Sequence, residues 1–355
     1  MSKAAIAFTL TSGLLAAALP AERAPLVTRQ SNACVPSNAL TPAGVYYGNG
    51  SNSTDVPTRL RISNGGAGLS GLVGALANAF INYKTGKGEK AFKIEWIKGD
   101  TTETINFLGT GQADVGITYN KAAECQAVRD GVAAQRVYGF RDHFYLAGPK
   151  SNPAGLQEFK EGSGNEDVLT QMQKIVRTGN DGTLSPPTRF LSRYDKSATN
   201  IKDSELFISV GQVPWAYAYS KWYHQYPMYP IDALTAAAKL GEYTITDRGT
   251  WLSTPADVTS TLVRYNAGQD DKNQDVGGTG ENAADPLLNP AFFLSSTKIC
   301  DDNKQLAADF LNWTISEDGQ KVVEDFRSQF SSEWLYTRAP TRTDLKIQNC
   351  TVNGV

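Results

Sequence analysis

The chain has 355 residues, with 34 basic against 36 acidic side chains for a formal net charge of -2, and is 41% apolar and 20% charged. That length favours two lobes of ordinary domain size and can bury a sizeable core without a metal or a disulfide, while the near-neutral charge supplies none of the long-range attraction that nucleic-acid binding draws on. The two histidines, His143 and His224, and the four cysteines, Cys34, Cys125, Cys300 and Cys350, form no C-x-x-C or H-x-x-x-H spacing, so neither a cofactor nor a bound cation is expected.

The N-terminus reads as an export signal. Lys3 precedes an apolar run over residues 4–19, and Pro20 and Ala21 follow with small residues before them. Residues 1–21 are expected to be removed, and no transmembrane anchor is expected because Thr9, Thr11, Ser12 and Gly13 interrupt the run. The mature protein is then secreted, extracellular and monomeric. Four cysteines in an exported chain suggest two disulfides; of three pairings, chain order favours Cys34 with Cys125 and Cys300 with Cys350. Asn49 and Asn52, in a Gly/Ser/Asn-rich loop, are the expected glycosylation sites, given a eukaryotic host.

After a loosely packed lead-in over 22–57, alternating Leu60 and Ile62 mark a strand, Asn64-Gly65-Gly66-Ala67-Gly68 a turn, and Leu69, Leu72, Val73, Leu76 and Phe80 a helix. Phe92, Ile94 and Trp96 mark the next strand, Ile105 and Leu108 the next helix, and residues 113–117 a short buried strand. Residues 136–148 read as paired or connecting strands. Beyond them come a helix over 168–176, a strand at 190–192 and a helix over 202–208. An aromatic helical stretch over 215–223 is expected next, then a helix over 234–240 and a strand at 243–245. Residues 266–282, rich in Gly and Asp, form a surface loop. A strand at 291–294 and helices over 304–313 and 319–326 complete the series. The alternation implies an α/β fold with a mostly parallel sheet. Its first lobe would use residues 58–145, its second 146–261, and 262–355 would return to the first, leaving a cleft between them for a small ligand.

Three loops carry chemistry. Ser63, Gly65 and Gly66 can present backbone N–H groups at a helix N-terminus, where unpaired donors face an anion, although a tight structural turn explains the glycines equally. No Gly-Lys-Ser/Thr follows, so this is not a P-loop. Thr101 and Thr102 repeat the arrangement after the next strand, with simple capping as the plain alternative. The third loop clusters Arg193, Lys196, Ser197 and Thr199 just before a helix; a guanidinium offers a rigid fork of donors matched to oxyanions, and hydroxyls complete a shell without a metal. Asp195 is expected to orient Arg193 or cap that helix. A hydrolase built on Ser192 or Ser197 with His224 is the weaker alternative, since no Gly-x-Ser-x-Gly elbow surrounds either serine. Asp247-Arg248 reads as an ion pair or the start of a helix rather than catalytic equipment.

Several blocks carry a family resemblance: 108–115 (LGTGQADV), 145–155 around AGPK and NPAG, FLSR at 190–193, TITDRGTWL at 244–252, DPLLNP at 285–290 and SEDGQ at 316–320. Through them, over about residues 59–326, the chain resembles the TupA-like tungstate-binding proteins of the periplasmic solute-binding (PBP) superfamily. The resemblance implies a two-lobed type II fold and a non-catalytic protein. It also implies a tetrahedral oxyanion, tungstate-like, held by uncharged donors and one arginine. Two loops depart from the family: residues 63–68 replace a Thr/Ser-rich loop, and 194–200 replace Asp-Asp-Ser-Gly-Thr-His. The expectation is a secreted, fungal member with no bacterial permease partner. A structural or host-interaction protein that keeps the fold without small-ligand binding is the alternative.

Overall fold

The computed structural model describes residues 34–50, 55–162, 164–270, 285–328, 332–340 and 350; the expected signal peptide, most of the Gly/Asp-rich loop and Asn52 lie outside them. The first elements are β1 (Gly44–Tyr46), β2 (Thr58–Asn64), α1 (Gly66–Leu69), α2 (Leu72–Gly86), β3 (Lys93–Lys98), α3 (Thr101–Thr110), β4 (Val115–Thr118), α4 (Lys121–Arg129) and β5 (Ala133–Pro149). Then come α5 (Val168–Gly179), β6 (Phe190–Ser192), α6 (Ala198–Ser209), β7 (Tyr223–Gln225), α7 (Pro230–Leu240), β8 (Tyr243–Asp247), α8 (Arg248–Ser253) and α9 (Ala256–Thr259). Last are β9 (Leu262–Ala267), β10 (Leu288–Ser296), α10 (Asp301–Thr314), α11 (Glu317–Asp325) and β11 (Thr337–Arg338).

β2 pairs in parallel with β3 and β4, and β6 in parallel with β7 and β8. β5 joins these two groups. Its first half pairs with β10, its last residues with β8 and β9, all antiparallel. What was read as paired or connecting strands over 136–148 is therefore one strand of 17 residues, nearly continuous in buried side chains because both its faces are covered.

Two apolar cores follow from this layout. In the first, Phe80 of α2 is fully buried against Phe310 and Trp313 of α10, with ring centroids 5.1 and 5.5 Å away, a burial that stabilises by about 1.5–3 kcal/mol. The second gathers Phe144 and Leu146 of β5 with Met172, Phe190, Phe207, Tyr243 and Tyr265. Tyr265 brings β9 against this second core, where it pairs with the end of β5. Residues 215–223 are not a helix: a short 3-10 turn over Pro214–Ala216 leads into β7, where Tyr223 stands beside Phe190. Strand pairing buries Trp222 and Tyr223 while Tyr217 and Tyr219 stay exposed.

The four described cysteines form two disulfides, but Cys34 pairs with Cys300 and Cys125 with Cys350, overturning the expected connectivity. Chain order misled because Cys350 reaches Cys125 of α4, while Cys34, before β1, reaches Cys300 at the start of α10. The Cα atoms stand 5.4 and 5.1 Å apart, within disulfide reach. No helix among the described residues is long and apolar enough to cross a membrane.

Candidate functional site

The parallel strands β2, β3, β6 and β8 deliver their C-terminal ends to one crevice, where the loops that follow line a cavity of about 50 Å³. Such crevices are where α/β sheets bind ligands. A volume of this size suits a few waters or one compact polyatomic ion, not a sugar or a peptide.

From the first lobe come Gly65 and Gly66, which open α1, and Thr101, which opens α3. A Cβ on Gly65 would sit 3.1 Å from Gly99 O, so glycine lets the two loops approach; at Gly66 nothing lies within 4 Å. Gly68 serves packing instead, since a Cβ there would meet the Trp96 ring at 2.1 Å. Asn64 Oδ1 accepts from Gly68 N at 2.9 Å, and Asn64 Nδ2 donates to Ile117 O at 2.8 Å. Asp100 and Glu103 form a reciprocal capping box on α3. The N–H groups of Gly65, Gly66 and Thr101 find no protein acceptor among the described residues, and they point along helix N-termini where an anion is favoured.

The second lobe supplies Arg193, Ser197, Ala198 and Thr199 around the start of α6. Asp195 holds Arg193 but does not cap α6: one oxygen pairs with Arg193 Nη2, and the other accepts from Ser197 N at 3.1 Å. Arg193 Nε donates to Met228 O at 2.9 Å, leaving Nη1 without a partner among the described residues. Tyr194 and Lys196 hold φ of 48° and 64°, a left-handed backbone that costs non-glycine residues about 1–3 kcal/mol each and is kept where the surroundings impose it. Ser197 Oγ caps α6 by accepting from Asn200 N at 3.4 Å. Behind the loop, Asp203 accepts from Ser192 Oγ at 2.7 Å, and burial pushes its pKa up to about 7. Ser192 is thus engaged by Asp203 and His224 by Glu242.

Three expected contacts fall elsewhere. Ser63 is fully buried behind the cavity, its Oγ 2.9 Å from Thr104 Oγ1. Thr102 and Lys196 meet each other, Thr102 Oγ1 donating to Lys196 O at 3.1 Å, which ties one lobe to the other. Two further links span the cleft: Asn120 Nδ2 donates to Glu205 at 3.4 Å, and Lys98 Nζ lies 3.3 Å from the centre of the Tyr229 ring.

The lining residues missed in the sequence are mostly isolated polar groups: Asn64, Tyr119, Asp142, Asp247 and Asn289, with Phe144 and Tyr229. Asp142 accepts from His143 N at 2.7 Å and Asn289 Nδ2 at 3.2 Å. Burial first, and then the facing Asp247, hold its carboxyl well above the usual range, a shift that favours the protonated form. Asp247 forms no ion pair with Arg248; it caps α8 through Thr250 N at 2.7 Å, while Arg248 pairs with Glu333. Burial also drives the Tyr119 phenol far upward, keeping it neutral. Of these positions, the sequence motifs contained Asn64 in the turn over 64–68, Asp247 at the end of TITD and Asn289 in DPLLNP, without marking any of them as a contact. Arg193 is the one cationic side chain among the described residues lining the cavity.

Comparison with known proteins agrees with this geometry. Residues 51–318 match the profile of the PBP superfamily domain. A solved periplasmic protein, provisionally described as metal-binding, is 48% identical, with a TM-score of 0.73 over 84% of this chain and 100% of that one. The tungstate-binding protein TupA of Peptoclostridium acidaminophilum is 26% identical over 241 residues, 67% of this chain and 72% of that protein. A Haloferax volcanii protein, provisionally described as an ABC transporter anion-binding protein, is 25% identical over 241 residues, and the match spans 62% of its length.

Proposed function

We propose that this chain, which belongs to the PBP superfamily as a TupA-like member with the type II solute-binding fold, binds a small tetrahedral oxyanion outside the cell without transforming it. The observation that carries the reading is the convergence of three helix N-termini, with unspent N–H groups, and one arginine on a cavity of about 50 Å³. An oxyanion entering there exchanges hydration for the N–H groups of Gly65, Gly66, Thr101, Ala198 and Thr199 and for Arg193 Nη1, donors that need no reorganisation.

The carboxyls in the wall fit an anion only under conditions this site meets. Asp247 uses both oxygens on Thr250 in the cap of α8, and Asp100 uses Oδ1 on Glu103 N in the cap of α3. Asp142, whose carboxyl is pushed toward its protonated form, can offer an O–H donor in place of a negative charge. Relatives named for tungstate and for anions support a ligand of this chemical class. Calorimetry with tungstate, molybdate, phosphate and sulfate tests the proposal: saturable one-to-one binding of at least one is expected. Absence of binding to all four would transfer preference to an interaction protein that keeps the fold alone.

A further inference from the structure

At the crossing between the cores, β5 sends side chains to two opposite sides. Asp142 and Phe144 line the cleft cavity, whereas His143 and Tyr145 line a second cavity of about 370 Å³, as the two-residue alternation of a strand dictates. Phe159, Arg248, Arg264 and Trp334 complete its principal walls.

The charges in these walls are unevenly matched. Arg248 gives Nη2 to Glu333 at 3.0 Å and Nη1 to Tyr145 Oη at 2.5 Å, and lies 3.5 Å from the centre of the Trp334 ring. His143 Nε2 pairs with Asp270 at 2.7 Å, which also accepts from Thr337 Oγ1 at 2.8 Å and stands 3.5 Å from Arg141. Arg264 has no carboxylate partner among the described residues; its guanidinium lies 5.4 Å from the Tyr145 ring centre and 6.0 Å from that of Phe159. His143 is 1% exposed, and its Nδ1 has no hydrogen-bond partner among the described residues. Glu161 stands exposed at the rim, where water screens it.

An arginine lacking a counter-ion beside aromatic faces, and a buried ring nitrogen lacking a partner, are two unmet demands in one cavity. A carboxylate answers the first with a charge-assisted hydrogen bond. A flat apolar body suits walls of Tyr145, Phe159 and Trp334, which favour stacked or edge-on rings, and the volume falls within the roughly 300–1,000 Å³ of small-molecule sites. We propose that this hinge cavity is a second binding site, for a small aromatic carboxylate, with Arg264 holding the carboxylate and the three aromatic side chains flanking the ring.

Saturation-transfer NMR and calorimetry on the full chain, with benzoate as probe and benzamide and acetate as controls, test the site. Benzoate is expected to bind saturably at millimolar concentration, with both controls weaker. Arg264→Met is expected to weaken benzoate by roughly tenfold or more with an unchanged melting curve, while Arg193→Ala leaves it unaffected. No saturable benzoate binding, a control that matches benzoate, or full affinity in a folded Arg264→Met overturns the proposal. Should Arg264→Met fail to fold, Phe159→Ala decides: a several-fold loss supports the site, and unchanged affinity overturns it.

Discussion

The two jaws of the cleft are built differently. The first lobe carries both disulfides and offers the cavity backbone N–H groups from α1 and α3; the second carries no disulfide among the described residues and brings the one cation, on a loop with two left-handed residues. Pinned backbone supplies a fixed set of dipoles that need no counter-ion when the cleft is empty. The guanidinium needs one, and Asp195 supplies it while Met228 O accepts from its Nε. On the proposed reading the cleft divides its labour between a jaw of backbone donors, with the Asp100 carboxyl beside them, and a jaw that carries the guanidinium on a locally strained loop.

Removing the charge from the second jaw breaks that division most severely. Arg193→Ala is expected to cost about 2–5 kcal/mol of oxyanion binding, read by calorimetry against an unchanged melting curve; equal affinity in the variant would show that the backbone dipoles suffice. Loosening the first jaw comes next. Replacing Cys34 and Cys300 by serine, which opens a bridge between residues 266 apart in sequence, is expected to lower stability by about 2–4 kcal/mol in denaturant unfolding. A loss of only a few tenths would mean that packing alone holds this jaw.

The proton on Asp142 sharpens the comparison, because it lies where the two jaws meet. Its folded pKa is raised, so the folded state holds a proton that the unfolded chain releases. The stability this group contributes is fully present below the unfolded carboxylate pKa and is lost as pH rises through the raised folded value. Oxyanion affinity is expected to fall over that same upper range as the O–H donor is lost. Asp247, Tyr119, Arg248 and Tyr336 face this group, and the two tyrosines stay neutral across it. Asp142→Asn keeps a donor and should flatten the pH profile of binding while raising the melting temperature at neutral pH. A profile as steep as the wild type's would assign the proton elsewhere, with Asp203 the next group to substitute. The smallest effect belongs to Ser197→Ala, about 0.5–1.5 kcal/mol of affinity or stability. A loss in unfolding but not in calorimetry would make its hydroxyl purely a cap of α6.

The loops before α1, α3 and α6 were legible in the sequence because strand, small or hydroxyl residue and helix follow one another locally, and helix termini leave unspent donors wherever they occur. Arg193 stood out because a guanidinium beside Ser and Thr has a narrow range of uses. The same local signal misled at Ser63 and Thr102, since a hydroxyl looks alike whether it faces a ligand, a buried threonine or the opposite lobe. Helix expectation over 215–223 failed because apolar spacing there came from strand pairing on one side and exposed tyrosines on the other.

By itself, then, the sequence determined the α/β alternation, the helix N-termini that face the crevice and the residue types able to hold an anion, all properties of short segments whose periodicity and capping are local. Tertiary structure alone decided the disulfide partners, the presence of Asp142 opposite Asp247 and the second cavity behind β5. Each of these joins residues tens to hundreds of positions apart, and burial, which raises the pKa of Asp142 and leaves His143 Nδ1 without a partner among the described residues, belongs to the packed whole and to no stretch of chain.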